Sequence, residues 1–264
     1  DVDAPNLGII LQPQPAEVHP FSGGMLARID PSRCTACSRC DEVCRFSAVY
    51  RRDGHYAVDP LACEGCGTCA TQCPAGAIVM QERASGYWQR SQTRFGTLVH
   101  ARLEPGEANS GKLVSRVRAE ALATAADQHA QRVLIDGAPG TGCPVIAAVA
   151  GVDLALFVAE PTASGWHDLE RAMAVAAHFG TAGAVCINKS DINPALTDRI
   201  AARCREQGLP VVAQLPFDEM AVRAMRALQA VTEMPPSPLA DGIREMHSAI
   251  DELISGPRQE GVKA

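Results

Sequence analysis

Eight of the eleven cysteines in this 264-residue chain follow one repeated spacing. The pattern C-x-x-C-x-x-C-x-x-x-C spans residues 34–44 and occurs again over residues 63–73. The flanks repeat as well, since "DPSRC" at 30–34 returns as "DPLAC" at 59–63, an offset of 29 residues. An offset shared by motif and flanks indicates an internal duplication. Because no secretion signal is evident in the sequence, we expect these cysteines to bind metal rather than to form disulfides.

The spacing within each motif is typical of iron–sulfur ligands. One tight loop directs three thiolates at three irons of a cubane, while the fourth thiolate comes from elsewhere. The alternative is zinc, but zinc sites usually pair two C-x-x-C hooks and do not add a third and fourth cysteine at these intervals. A segment this short and polar has little core of its own, so we expect bound metal to supply most of its stability.

The duplicated segment resembles the bacterial two-cluster ferredoxins. In that family, the fourth cysteine of each run ligates the other cluster. The resemblance therefore implies two 4Fe–4S clusters, one held by Cys34, Cys37, Cys40 and Cys73 and the other by Cys63, Cys66, Cys69 and Cys44. One departure is Arg45, which follows Cys44 where many ferredoxins have proline. Two alternatives stay open for Arg45: a cation that raises the potential of the nearby cluster, or a solvated side chain.

The rest of the chain alternates apolar runs with amphipathic stretches. After "FGTLVHARL", four apolar runs predict buried strands: "RVLID", "VDLALFVAE", "AGAVCIN" and "LPVVAQL". Three stretches between them predict helices: "KLVSRVRAEALATAADQHA", "GWHDLERAMAVAAHFG" and "NPALTDRIAARCREQG". Strands that alternate with helices predict a doubly wound, mostly parallel α/β sheet. We therefore expect a ligand site at the carboxyl ends of the strands.

Two of these strand ends carry polar residues suited to a nucleotide. Asp136 closes "RVLID" and is followed by a glycine-rich turn that includes Gly137 and Gly140. A carboxylate followed by free backbone amides suits Mg²⁺ and a terminal phosphate. Asn188 and Lys189, in "NKSD" after "AGAVCI", are candidates for contacts with a base and a ribose. The alternative for "NKSD" is a polar cap on the following helix.

Several motifs together resemble the MinD/ParA-type P-loop ATPases that carry an inserted ferredoxin domain. They are "DVDAPNLGIIL", the double cysteine motif, "RFGTLVHARLEPGEANSGKLV", "IDGAPGTGCPVI", "VAEPTASGWHDLERA" and "INKSDIN". These proteins are related to the nitrogenase iron protein and to Mrp-type iron–sulfur carriers. The resemblance implies a discontinuous nucleotide hydrolase-like α/β domain at residues 1–27 and 83–264 and an inserted α+β ferredoxin domain at residues 28–82.

The resemblance also implies ATP and Mg²⁺ as ligands, with Asp1 and Asp136 as the switch aspartates that act in catalysis. It implies a cytoplasmic protein that forms a homodimer, or a heterodimer with a paralogue, and acts on a redox partner protein. Members of the family have a K-G-G-x-G-K-T loop before the segment that matches "DVDAPN", and the sequence given does not contain it. We therefore expect an N-terminally truncated chain that does not hydrolyse ATP by itself.

A second glycine-rich stretch, "EPGEANSGKLV", has the outline G-x-x-x-x-G-K of a phosphate loop. Leu113 replaces the serine or threonine that binds magnesium, and the charge of Glu107 would repel phosphate, so we expect no such loop here. The stretch is more similar to an interface loop of the iron protein, in which a cluster cysteine falls on Asn109. A second such cysteine matches Cys143, for which we expect burial, as for Cys186 and Cys204.

Composition limits the functions to consider. The net charge of −6 argues against a nucleic-acid partner, and the sequence has no apolar run long enough to span a membrane. We expect an iron–sulfur protein that couples ATP binding and hydrolysis to electron transfer or cluster handling. The alternative is a non-hydrolytic electron carrier or a cluster-delivery scaffold.

Overall fold

The computed structural model describes residues 1–2, 6–107 and 110–256. Its strands are β1 (Gln14–Ile29), β2 (Val49–Arg52), β3 (His55–Val58), β4 (Ile78–Thr93), β5 (Gly96–Leu103), β6 (Ala155–Ala159), β7 (Gly183–Asn188) and β8 (Val211–Leu215). Its helices are α1 (Leu7–Leu11), α2 (Arg39–Glu42), α3 (Thr68–Thr71), α4 (Ser110–Asp127), α5 (Cys143–Val149), α6 (Ala163–His178), α7 (Pro194–Glu206), α8 (Met220–Arg226) and α9 (Pro238–Ser255), with a 3₁₀ turn at Val231–Glu233.

A long antiparallel ribbon connects the cysteine-rich segment to the rest of the chain. β1 and β4 pair over their whole length, ending where Ile29 lies opposite Ile78. β5 pairs with the other end of β4, which makes a three-stranded sheet in the order β1-β4-β5. The cysteine motifs therefore lie beyond the free end of the ribbon. The predicted domain limits at residues 28 and 82 fall inside these continuous strands, and the domain boundaries stay a prediction.

Helix α4 covers one face of the antiparallel sheet. Leu113 in its first turn is fully buried and packs with Trp88 of β4, Ala101 of β5 and Val2. This apolar cluster keeps the start of α4 close to the ribbon. The burial of Leu113 also agrees with the expectation that "EPGEANSGKLV" is not a phosphate loop.

The three strands β6, β7 and β8 form a parallel sheet in that order. Helices α6 and α7 supply its main core, in which Val185 and Ile187 of β7 pack against Leu169 and Ile200. The predictions for these strands and for α4, α6 and α7 are confirmed, since apolar runs alternate with helices as in other α/β folds. β7 is central and buried on both faces, which explains its unbroken run of apolar residues.

The predicted strand at "RVLID" is wrong. Residues 132–136 belong to no helix or sheet of the described chain, and Leu134 is 97% exposed. A strand needs a neighbour to accept and donate its backbone hydrogen bonds. Within the described residues, the sheet pairings run through β1 to β8 and leave this segment out.

Side-chain caps and prolines explain where several helices start. Thr162, Asn193 and Ser237 each accept a hydrogen bond from a backbone N–H in the first turn of α6, α7 and α9, respectively. Asn193 is thus the cap of α7, and "NKSD" is not. The C-terminal helix α9 packs closely on β8, with Gly242 facing Leu215. In the described part of the chain, every helix is too short or too polar to span a bilayer.

Candidate metal centres

The two cysteine motifs adopt the same local structure, with matching residues 29 positions apart. Helices α2 and α3 match at this offset, and each follows a residue in the left-handed conformation, Ser38 or Gly67. Asp30 and Asp59 begin the two motifs, and each carboxylate accepts a hydrogen bond at 2.9 Å from the backbone N–H two residues on. The duplication found in the sequence is therefore also a duplication in the structure.

Each motif begins beside the end of the other motif. The N–H of Asp30 donates to the carbonyl oxygen of Ala77 at 2.8 Å, and the N–H of Asp59 donates to that of Ala48 at 2.7 Å. Ala48 and Ala77 lie four residues after Cys44 and Cys73, the fourth cysteines of their motifs. These crossed hydrogen bonds place the fourth cysteine of each motif beside the first three cysteines of the other motif.

Two cavities result, and each is lined by four cysteines. Cavity one is lined by Cys34, Cys37, Cys40 and Cys73, and cavity two by Cys44, Cys63, Cys66 and Cys69. Apolar side chains complete both linings, including Tyr56 and Ile78 at cavity one and Val49 and Val58 at cavity two. The structure thus brings together the same two sets of four cysteines that the ferredoxin resemblance implies.

Hydrogen bonds to sulfur are also duplicated. The N–H of Ala48 donates to Sγ of Cys44 at 3.4 Å, and the N–H of Ala77 donates to Sγ of Cys73 at 3.3 Å. Such donors stabilise a thiolate, as a cluster ligand requires. Oγ1 of Thr68 and Sγ of Cys66 are 3.4 Å apart, and this hydrogen bond lowers the pKa of the Cys66 thiol.

Two other matching cysteines have a thiol pKa that is raised rather than lowered. Burial raises the pKa of the Cys40 thiol and that of its counterpart Cys69. Iron binds the thiolate, so metal and proton compete at these positions and cluster binding releases protons. The chemistry of the lining, with four sulfur donors and apolar walls, fits a 4Fe–4S cluster in each cavity.

The cysteines surround each cavity rather than converge on one point. In the described chain, no three His, Cys, Asp or Glu side chains are close enough to share a single metal ion. The thiolates of a cubane bind four different irons, each at its own corner. Four cysteines spread around one cavity match that requirement.

Glycine is required at one turn of the second motif but not at its counterpart. Gly65 has φ +66°, and a Cβ there would overlap the carbonyl oxygen of Met25 in β1. The matching residue in the first motif, Ala36, has φ +54° and carries a Cβ. The close approach of Met25 thus distinguishes the two turns, and it packs the second motif directly on the ribbon.

An ion pair links the second motif to the stretch "EPGEANSGKLV". Nε of Arg83 donates to Oε1 of Glu107 at 2.7 Å, and the two side chains are 16% and 11% exposed. Nη1 of Arg83 also donates to the carbonyl oxygen of Cys63 at 3.2 Å. The sequence showed both charges but did not indicate that Glu107 neutralises Arg83 beside cavity two. Asn109, compared above with a cluster cysteine, lies outside the described residues, and Lys112 is exposed.

The predicted switch aspartates lie side by side. The backbone nitrogen of Asp1 donates to the carbonyl oxygen of Asp136, and the next residue, Val2, is buried. Gly137 and Gly140 follow in the turn before α5, where a Cβ on either would meet no atom within 4 Å. The open turn leaves space beside these backbone groups.

The expectation that Cys143 is buried is wrong. Cys143 is exposed as the first residue of α5, although its Cβ is close to Gly111 of α4. Burial is confirmed for Cys186 and Cys204. Burial raises the pKa of Cys186 to about 11, which keeps this thiol protonated and inert.

Asn188 and Lys189 lie at the carboxyl end of β7. Oδ1 of Asn188 accepts a hydrogen bond from the N–H of Lys189, and Nζ of Lys189 is 2.6 Å from Oε1 of Glu160 after β6. Asp191 accepts a hydrogen bond from the N–H of Phe217 after β8. These contacts tie the ends of the three parallel strands together, a structural role that the motif alone did not reveal.

Comparison with known proteins identifies the cysteine-rich segment. Residues 56–79, which contain the whole second motif, match the family described as "4Fe-4S binding domain". This chain carries a 4Fe–4S binding domain. The chain is also 32% identical over 193 residues to the uncharacterized protein MJ0578 of Methanocaldococcus jannaschii. That alignment covers 73% of this chain and 66% of the relative, so the chain spans just under two thirds of the relative's length.

The fold of the chain is similar to that of a solved MinD structure. The septum site-determining protein MinD of Pyrococcus horikoshii, solved with Mg-ADP, has a TM-score of 0.52 at 13% identity. The match covers 97% of this chain and 82% of that one. The cell division ATPase MinD of Pyrococcus furiosus has a TM-score of 0.49 at 19% identity, over 62% and 69% of the two chains. The first match shows a MinD-like α/β fold with a parallel sheet.

Replacement of Gly65 tests how closely the 4Fe–4S domain packs on β1. Gly65→Ala should reduce the iron bound per chain, because the added Cβ displaces Met25 or the loop that holds Cys63 and Cys66. Gly67→Ala is the matched control, with φ +77° and no atom within 4 Å of its Cβ. Both substitutions carry the left-handed penalty of about 1 kcal/mol. Equal iron content in the two variants would contradict the steric explanation.

Replacement of Glu107 tests its pairing with Arg83. Glu107→Gln should lower the free energy of unfolding by about 1–3 kcal/mol, because it leaves a mostly buried cation without its counter-charge. Glu206→Gln is the control, since the Arg203–Glu206 pair is exposed and should change stability by less than about 0.5 kcal/mol. Thermal unfolding of Glu107→Gln, of Arg83→Gln and of the double variant Arg83→Gln/Glu107→Gln measures the coupling, with Glu206→Gln as the reference. Additive losses in the double variant would show that the two side chains act independently.

Proposed function

We propose that this protein transfers electrons through two 4Fe–4S clusters, one in each cavity. The observation that carries the proposal is the lining of each cavity by three cysteines of one motif and the fourth cysteine of the other. Four thiolates complete the ligand set of one cubane. The family match over residues 56–79 supports a cluster at the second motif, and the structural duplication extends the same chemistry to the first.

A bound 4Fe–4S cluster supplies one-electron redox chemistry. The chain holds the ligands and controls solvent access. Cys40 is buried, whereas Cys37 and Cys66 are exposed, one at each cavity. Each cavity thus has a ligand sulfur at the protein surface, where a redox partner protein can exchange electrons. Tyr56 also lines cavity one and is buried.

In the full protein, we propose that the MinD-like part binds Mg–ATP and couples its nucleotide state to the redox centres. Asp136 with the open turn at Gly137 and Gly140 supports this proposal, because carboxylates and free amides suit Mg²⁺ and phosphate. A homodimer or heterodimer, a cytoplasmic location, and the exclusion of nucleic-acid and membrane partners stay predictions of the sequence.

Two groups of contacts lie between that turn and cavity two. The turn leads into α5 at Cys143, which lies against Gly111 of α4. Glu107 precedes Gly111 by four residues and pairs with Arg83, which donates to the carbonyl oxygen of Cys63. We propose that a shift of α5 relative to α4 changes the position of Glu107 and, through Arg83, that of Cys63.

Anaerobic reconstitution with iron and sulfide tests the two-cluster proposal. About eight irons and eight sulfides should bind per chain, and electron paramagnetic resonance should show two reducible cubanes. Cys143→Ser is the matched control, because this exposed cysteine lies outside both cavities and its loss should leave the iron content unchanged. Binding of about four irons, or of zinc in place of iron, would contradict the proposal.

A further inference from the structure

The linings of the two cavities differ in charge at matching positions. Thr35 and Arg39 line cavity one. Their counterparts 29 residues later, Glu64 and Thr68, line cavity two. The first pair contributes a positive charge to its cavity and the second pair a negative charge. Two binding sites that are otherwise duplicates therefore differ by two units of charge, from +1 to −1, in their side-chain linings.

Neither Arg39 nor Glu64 is part of an ion pair among the described residues. Within residues 28–83, all of which are described, the ion pairs are Arg52–Asp53 and Arg83–Glu107. Arg39 and Glu64 are in neither pair, and both side chains are exposed. Each retains its charge beside its cavity, subject to screening by solvent.

Charges next to the ligands in sequence but outside the linings differ by one unit, less than the two units of the linings, since Asp41 follows Cys40 of cavity one where Ala70 follows Cys69. Arg33 precedes Cys34 of cavity one, where the second motif has Ala62 before its first cysteine. Arg45 follows Cys44 of cavity two, where Pro74 follows the equivalent cysteine. Each cavity therefore has one such arginine, and neither arginine is part of a lining.

The hydrogen bonds to the cysteine sulfurs differ less between the two cavities than the charges of the linings do. The amide donors at Cys44 and Cys73 are almost equal, at 3.4 and 3.3 Å. Oγ1 of Thr68 and Sγ of Cys66 are 3.4 Å apart, and the hydroxyl donates to Cys66 when this residue is a thiolate ligand, which favours reduction at cavity two. A full charge outweighs this long neutral hydrogen bond, since charged groups interact more strongly with added charge than hydroxyl dipoles do.

We infer that Arg39 and Glu64 make the two clusters unequal, so that cavity one is reduced before cavity two. The inference rests on the proposed function, in which both cavities hold a cluster. Reduction adds one electron to a 4Fe–4S cluster and takes it from a one-electron donor, with no proton transferred to the ligands. The nearby cation stabilises the added negative charge and the nearby carboxylate destabilises it. The electron therefore resides at cavity one when one electron is present.

Exchange of the lining residues tests the inference without loss of any cysteine. The first exchange is Thr35→Glu with Arg39→Thr, and the second is Glu64→Thr with Thr68→Arg. Reconstituted full chain is titrated with dithionite under potentiometric control and followed by electron paramagnetic resonance. The first exchange should lower the higher of the two potentials, the second should raise the lower one, and the two together should reverse the order.

Two variants assign each signal to its cavity. Cys37→Ser and Cys66→Ser replace the matching exposed ligands, so each should alter the resonance of one cluster. Arg52→Thr is the charge control, because Arg52 pairs with Asp53 in the β2–β3 hairpin and lines neither cavity. This variant should leave the reduction potentials of both clusters unchanged.

Iron analysis of the same samples separates this inference from the proposed function. About eight irons per chain with equal potentials, with cavity two reduced first, or with potentials unmoved by the exchanges would overturn the inference alone. About four irons in the unmodified chain would overturn the two-cluster proposal and the inference with it.

Discussion

The cysteine-rich segment depends on two crossed backbone hydrogen bonds, from Asp30 to Ala77 and from Asp59 to Ala48. Each of these alanines is buried, accepts a hydrogen bond from the start of the other motif, and donates its own N–H to a cysteine sulfur. The same two residues therefore join the halves and position the fourth cysteine of each motif. Two cavities with four cysteines each follow from this one arrangement, and loss of the crossing would leave each cavity with three.

The ribbon of β1 and β4 contacts the cysteine-rich segment at two positions along its length and connects it to the α/β part. Ile29 and Ile78 close the ribbon beneath the cavities, and Met25 packs against Gly65 of the second motif. Further along β4, Arg83 joins Cys63 to Glu107 just before α4. The ribbon therefore contacts both cavities, through Ile29 and Ile78 at cavity one and through Met25 and Arg83 at the second motif.

Local patterns made much of the structure predictable. The cysteine intervals predicted the 4Fe–4S domain because its ligands come from short loops, and the apolar runs predicted β6, β7 and β8 because those strands are buried. "RVLID" has the same pattern but forms no strand, since periodicity does not encode whether a neighbouring strand exists to pair with it.

The pairing of Arg83 with Glu107 joins residues 24 positions apart, and composition cannot select that partner. Cys143 was expected to be buried from residue type alone, whereas its place at the start of α5 exposes it. The ligand role of the eight cysteines and the roles of the nucleotide residues stay predictions.

The most direct measurement is the number of intact 4Fe–4S clusters in two double variants that differ in one substitution. Cys44→Ala with Cys63→Ala removes two ligands from cavity two and none from cavity one, so one intact cluster should remain. Cys34→Ala with Cys44→Ala removes one ligand from each cavity, so no intact cluster should remain. Electron paramagnetic resonance of the reduced proteins counts the clusters. If the second variant kept one intact cluster and the first kept none, each motif would hold its own cluster and the crossed arrangement would be contradicted.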